Sequence, residues 1–520
     1  MLLPEAERLL FRAEPTAEVI RVAHESIRAR SADIESLEDK IRSLLTQIST
    51  LRHEQAKHKT AIEHSWGIVT LARRLPEDIL IKIFGHCVDD GWTRAPVVVS
   101  HVCSNWRRAA LAPKVWSHVY VRCDDVHVSN RTRHWLKMAG HAYLHIIVAV
   151  SWRVPARKIV EVMNVLVEHS KQWRSLSVET DLDSQADVVF GQCTFFMPEL
   201  RRISSRTVGS VVAPPDGVDA IESRPLGEIF SADKAPQLNA VQYICGTIPE
   251  IPHLPSQITA LTLQVRTSIE VQPLSASTII SMLGRLPHLQ HLTLSMPLIY
   301  EHPFVRAQDP EATVFLPDLT TFTMYGPTDL NEMLPHFYTP RLRDLHLRSL
   351  EDLGYRQQPI GPTLTRFLEL STPPLELLEL HDLDLSPEAF ATTFAALPTL
   401  RELRLHESSI SDTTVARLRG PRGLCPRLVR IDFRWCSMLH GHALVDLVRS
   451  RCTVDDLAIQ GSDPIQEVTV VNCCFVMEDD VMELARTTVC RVVMREREDY
   501  CRERGCCMNN KYRTRLRFAT

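Results

Sequence analysis

One phrase, P-x-L-x-x-L-x-L, recurs through the chain and narrows its fold more than any other feature. It reads Pro287-His288-Leu289-Gln290-His291-Leu292-Thr293-Leu294 in one copy and Pro398-Thr399-Leu400-Arg401-Glu402-Leu403-Arg404-Leu405 in another. Further copies centre on Leu319, Leu342, Leu375 and Leu428, with looser ones at Trp173, Leu238, Ile258 and Val454 and a degenerate one from Leu200. The intervals between these anchors run from 20 to 38 residues, with a mean of roughly 28, a period that marks a stacked-repeat architecture. The last three positions of L-x-x-L-x-L alternate, so they predict a short strand whose leucines point inward and whose intervening residues face the other way. The leucines are therefore framework. A chain of 520 residues exceeds a single ordinary core, and repeats supply a fold that grows by addition.

A different period governs the N-terminal part. With Ile20 as heptad position a, the a sites are Ile20, Ile27, Ile34, Ile41, Ile48, Gln55 and Ile62, and the d sites include Leu37, Leu44 and Leu51. Ile at a with Leu at d suits a parallel two-stranded coiled coil. Ile34, Leu37, Ile41, Leu44, Ile48 and Leu51 form its best-kept part, while Arg30 and His58 at d positions weaken both ends. The same stripe would equally serve a single amphipathic helix lying on its own downstream domain. Within this helix, His53-Glu54-Gln55-Ala56-Lys57-His58 is one residue too long for a zincin motif, because histidines five apart do not share a helix face.

From Leu75 to Trp116 the chain turns to short helical pieces separated by prolines. Pro76 with Glu77 and Asp78 predicts a helix start, since proline and acids both fit the positive end. Ile79, Leu80, Ile83, Phe84 and Cys87 then recur at helical spacing, and Gly85 and Asp89-Asp90-Gly91 close the helix. A second helix is expected after Pro96 with Val99, Val102, Cys103, Trp106 and Ala110 on one side, Arg107 and Arg108 facing away, and a third turn after Pro113. On its own terms this is a small three-helix unit. The string Leu75-Pro76-x-x-Ile79-Leu80-x-x-Ile83-Phe84, then Val102-Cys103-x-x-Trp106-Arg107, then Leu111-x-Pro113-x-x-Trp116 resembles the F-box in order, spacing and residue type. That resemblance implies docking on a Skp-type adaptor through Leu75, Pro76, Ile79, Leu80, Ile83, Val102 and Trp106. Some of these must also form the small core, and the sequence alone does not divide the two roles.

The repeat spacing falls within that of leucine-rich repeats, although the asparagine-type position of many such classes is not obvious. The stretch Cys425-Pro426-Arg427-Leu428 through Trp435-Cys436 to Gly441, Leu444 and Leu447 resembles the cysteine-containing repeats of F-box proteins. Trp135-Leu136 near Gly140, a strand from His145 to Val150, and His169-Ser170-x-x-Trp173-Arg174 resemble a pattern of the large fungal F-box-like family. The expected fold is α/β: an N-terminal coiled-coil helix (1–66), a small three-helix F-box (67–122), an irregular leucine-rich-repeat solenoid (123–480) and a basic tail (481–520).

Composition narrows the function classes. A formal net charge of -4 argues for neither nucleic acid nor an anionic membrane as the main partner. No uninterrupted apolar run of about 18 residues occurs, and acids interrupt the start, so a soluble, cytoplasmic or nuclear protein is expected. The 14 cysteines have no regular spacing and read as reduced thiols, including Cys490, Cys501, Cys506 and Cys507 near the end. Nine Lys or Arg in the last thirty residues, against four acids, suit acidic partners or a nuclear address but read first as a solvated end. No phosphate loop, nucleophile elbow or dinucleotide fingerprint is present, and no cofactor or metal is expected. The F-box resemblance thus implies a non-catalytic adaptor of an SCF-type ubiquitin ligase, with a Skp-type adaptor, a cullin, an unknown protein substrate and a possible homodimer as partners. The competing reading is a repeat scaffold with no role in ubiquitin transfer.

Overall fold

A computed structural model of the protein describes residues 14–69, 74–207, 226–245, 254–265, 276–295, 313–326, 333–349, 360–383, 385–420, 422–451 and 462–493. The chain divides into two units, residues 1–82 with 103–109 and residues 83–102 with 110–520. In the first, helix α1 spans Ala17–Val69, as the heptad pattern predicts. Helix α2 (Glu77–Asp89) starts immediately after Pro76, with Glu77 and Asp78 in its first turn. It ends at Gly91, whose φ of 91° is left-handed backbone that glycine adopts without a Cβ clash. The Gly91 N–H donates to Val88 O at 3.0 Å and the Trp92 N–H to Cys87 O at 3.0 Å, closing the helix. Gly85 lies inside α2 and does not end it.

The single second helix expected after Pro96 is two helices, α3 (Ala95–Ser100) and α4 (Ser104–Ala110). The His101 and Val102 N–H groups donate to Val98 O and Val99 O, at 3.1 and 3.3 Å. These i to i−3 bonds tighten the last turn and stop the helix before Cys103. A 3₁₀ turn at Pro113–Trp116 follows.

Among the described residues, fourteen strands then form one open sheet in strict sequence order, every neighbouring pair parallel. They are β1 His118–Arg122, β2 Leu144–Val150, β3 Trp173–Thr180, β4 Arg202–Thr207, β5 Ala240–Cys245, β6 Ala260–Val265 and β7 His291–Ser295. The rest are β8 Thr321–Gly326, β9 Asp344–Ser349, β10 Leu377–His381, β11 Glu402–His406, β12 Arg430–Arg434, β13 Glu467–Val471 and β14 Val489–Val493. Parallel neighbours need crossover connections, and several carry helices, as at Val128–Ala139, Ala156–Val167, Ile360–Ser371 and Gly441–Ser450. Gly361 allows a close helix approach: a Cβ there would meet the Ala389 Cβ at 2.6 Å.

The repeat phrase sets the buried face. Leu289, Leu292 and Leu294 are 0–1% exposed, and Leu400, Leu403 and Leu405 are 0% exposed. Trp173, Leu200, Leu238, Ile258, Leu319, Leu342, Leu375 and Leu428 are buried likewise. The anchor placed at Val454 lies outside the described residues; Val468 and Val470 hold the buried positions of β13, and Ile465 just before it is buried too. The sheet also runs on to Val493 in β14, which pairs with β13, so the ordered fold extends into the segment expected as a basic tail from 481.

Two devices repeat where the strands end. Asp382, Glu407, Trp435 and Asn472 all have φ near 53°, and the first three donate N–H bonds to the next strand at 2.7–2.9 Å. Ser408, Cys436 and Cys473 each lie three residues after the last inward side chain of their strand and are buried. The Cys436 thiol donates to Leu405 O at 3.4 Å and the Cys473 thiol to Phe433 O at 3.6 Å. The two thiols thereby supply donors to strand carbonyls where the chain leaves the sheet. Among the described residues no helix is long and apolar enough to cross a membrane.

Candidate functional site

Two surfaces carry the candidate chemistry. The first is the apolar residues around α2 to α4. Of the seven expected adaptor contacts, Leu80 is 0% exposed, Leu75, Ile79 and Trp106 are half-buried, and Pro76 is exposed. Ile83 and Val102 are 40% and 57% exposed. Leu75, Pro76, Ile79, Leu80 and Trp106 fall in the first unit and Ile83 and Val102 in the second. Leu80 is thus a core side chain, whereas Ile83 and Val102 offer free apolar surface. Trp92, Val97, Val98 and Leu111 are also exposed, at 37–55%. None of them was among the expected adaptor contacts, although Val97 and Val98 lie off the stripe containing Val99 and so had to face elsewhere.

The base of this segment is firmly built. Trp116 is buried, donates its indole N–H to Ala110 O at 2.6 Å and meets Trp135 edge-on, with ring centroids 4.7 Å apart. Arg107 and Arg108 are exposed as expected, and Arg108 pairs with Glu77 at 2.7 Å. Residues 72–122 match the F-box-like family. The F-box-like segment therefore covers α2, α3, α4, the turn at Pro113 and β1. Among solved structures, a chain from the crystal structure of the yeast Rad7 and Elc1 complex shows 11% identity and a TM-score of 0.33, covering 84% of this chain and 98% of that one. No curated protein matches the sequence.

The second surface is the polar face of β9 to β14, opposite the leucines. In register, His346, Glu379, Arg404, Asp432, Thr469 and Arg491 form one row across six strands. Most of its charges are paired. Glu379 receives His346 Nδ1 at 3.1 Å and Arg404 at 3.2 Å, and Glu402 receives Arg404 at 2.6 Å and Arg430 at 2.6 Å. Asp432 holds Arg434 at 2.7 and 2.8 Å, and Glu467 holds Arg491 at 2.9 Å. A depression of about 270 Å³ opens between Asp344, Glu376, Arg401, Glu402 and Arg430. Towards β3 to β8 the same face is mostly neutral, with Ser175, Ser177, Ser204, Gln242, Thr262, Thr293 and Thr323. Among the described residues no group of side chains could hold a metal ion. Of the cysteines described, Cys123, Cys193, Cys425, Cys436 and Cys473 are free and buried, as core thiols should be; Cys501, Cys506 and Cys507 lie outside the described residues.

This face has a definite pH response. The hydrogen bond from His346 holds Glu379 down at about 2, against an ordinary 4.5. Burial holds His381 at about 3, with Arg348 and His406 adding to the effect, and holds His145 at about 4, beside His118. As pH falls below 6.5 the unfolded chain binds protons that folded His381 and His145 refuse, and below 4.5 the unfolded carboxyl binds one that folded Glu379 refuses. Each difference favours unfolding on acidification. The melting temperature should therefore fall steadily from pH 7 to pH 4, and a His145→Gln/His381→Gln variant should show a shallower fall. An unchanged slope would show that these imidazoles are not held neutral.

Proposed function

We propose that the chain is the substrate-recognition adaptor of an SCF-type ubiquitin ligase. The F-box-like segment docks on a Skp-type adaptor, which brings a cullin, and the sheet is the wall of a leucine-rich-repeat solenoid whose polar face holds a target protein. On this reading residues 1–66 are the coil, 67–122 the docking domain and the repeats run from 123 to Val493. The chain does no chemistry itself. It holds a target near the transferring enzyme and raises its effective concentration there. The observation that carries the reading is the set of apolar side chains left outside the core of the matched segment, Ile83, Val97, Val98 and Val102 foremost. Exposed aliphatic side chains grouped in one short segment mark a contact surface better than an exposed residue alone.

The burial pattern also selects the test. Leu80→Asp would put a charge inside the chain and report folding, whereas Ile83→Asp and Val102→Asp change surface positions. The double variant should melt as the wild type does and lose co-purification of a Skp adaptor and cullin, because a charge desolvated at an apolar contact costs several kcal/mol, beyond the ~1.4 kcal/mol that weakens binding tenfold. Wild-type recovery of both partners by a folded double variant would remove this surface from the interface.

A further inference from the structure

Helix α1 has 53 residues, about 80 Å at 1.5 Å per residue. Every described side chain from Ala17 to Trp66 is exposed. That includes Ile34 at 57%, Leu37, Ile41 and Leu44 at 56% each, Ile48 at 45% and Leu51 at 63%. A seam of six aliphatic residues on one helix face is therefore exposed. Stability of a helix usually comes from burying such a face against something.

We propose that a second copy of the chain covers it, as a parallel, in-register two-stranded coiled coil over residues 34–55. Three features of the helix select a second copy over an unrelated helix. The seam is self-complementary: in register, Ile34, Ile41 and Ile48 stack on themselves at a and Leu37, Leu44 and Leu51 at d, the combination that favours two parallel strands. Next comes Gln55 at an a position, where in-register pairing sets amide against amide and fixes alignment, as single polar a residues do. Charge also fits at the C-terminal end, where Glu54 at g faces Lys59 at e of the other copy and Gln47 faces Arg52. Asp33 and Glu38 oppose one another at the N-terminal end, so pairing is weakest there.

This goes beyond the adaptor reading and does not depend on it: a dimer that captures no Skp adaptor would defeat the adaptor role alone. Each dimer carries two F-box-like segments and two polar sheet faces, so a target with two copies of its recognition element is held twice and released more slowly. The full chain at micromolar concentration should scatter light with twice the 59.1 kDa chain mass. Ile41→Asp/Leu44→Asp should reduce it to one chain mass while the sheet melts unchanged. Under mild oxidation Leu37→Cys should cross-link to itself well above the wild-type background. A monomeric wild type, or a dimer that survives Ile41→Asp/Leu44→Asp, overturns the proposal. Cross-linking only in mixtures of Leu37→Cys with Ile48→Cys copies overturns the parallel arrangement.

Discussion

Arg451→Ala is expected to destabilise the protein by roughly 3–5 kcal/mol, since leaving even two or three buried carbonyls unpaired costs about 1–3 kcal/mol each and the losses are not fully additive. Arg451 is 0% exposed, an exceptional place for a guanidinium. Each of its three nitrogens donates: Nε to Leu418 O at 2.9 Å, Nη2 to Leu424 O at 2.8 Å and Nη1 to Cys425 O at 3.1 Å. Those carbonyls belong to the loop between the helix Asp412–Ala416 and β12, where Cys425 has a left-handed φ of 49°. The guanidinium replaces the backbone partners that this irregular loop cannot provide. Arg451→Lys should recover only part of the loss, because an ammonium lacks the planar fork that reaches three carbonyls. Denaturant unfolding measures the cost. Limited trypsin digestion locates it, with faster cleavage at Arg419, Arg422 and Arg427 expected in the alanine variant. Equal stability of the alanine and wild-type proteins would show that the loop does not need its cation.

Leu403→Ala should cost about 2–5 kcal/mol, the range for buried leucines truncated in a packed core. Leu403 is 0% exposed and sits in register between Leu378 on β10 and Ile431 on β12. The loss should spread to both neighbouring strands, because Leu403 packs in register between them. Its sequence neighbour gives the contrast. Strand alternation places Arg404 on the polar face, where a surface side chain should be nearly neutral, but Arg404 bridges Glu402 and Glu379 and Glu402 is only 8% exposed. Arg404→Ala should therefore cost about 1 kcal/mol, more than a free surface arginine and less than the leucine, since Glu402 keeps Arg430 and Glu379 keeps His346. Thermal melting of the two variants separates them, and equal losses would defeat the assignment of inward and outward residues in β11. Target capture provides the companion measurement: if the polar face binds, Arg404→Ala should weaken recovery of partners that Leu403→Val, still folded, retains.

Much of this was legible because the signals are local. A strand alternates its side chains whatever surrounds it, so L-x-x-L-x-L names its own buried positions, and Leu400, Leu403 and Leu405 need no knowledge of the rest of the fold. The heptad seam and the proline start of α2 are local in the same sense. The break between α3 and α4 was hidden because Val99, Val102, Cys103 and Trp106 continue at helical spacing through a turn closed by hydrogen bonds to Val98 and Val99. Strand β14 was hidden because Val489-Cys490-Arg491-Val492-Val493 lacks the leucine phrase and stands among arginines, so its charge outweighed its β-branched residues.

What the sequence by itself determined is the set of elements whose pattern is complete within a few residues: the long helix, the F-box-like order of apolar residues and the inward face of most strands. What only the tertiary structure decided is the fate of residues whose environment comes from distant parts of the chain. Leu80 and Ile83 have the same chemistry and lie one turn apart on α2, yet one is buried and the other 40% exposed. Arg451 looks like any helix-end cation until Leu418, Leu424 and Cys425 converge on it. The paired charges of β9 to β12 meet only because strands separated by 25 to 33 residues lie in parallel register, with His346 beside Glu379 and Glu379 beside Arg404. Periodicity encodes which way a side chain points, but burial and pairing depend on what lies opposite, and that is set by the packing of elements far apart in sequence.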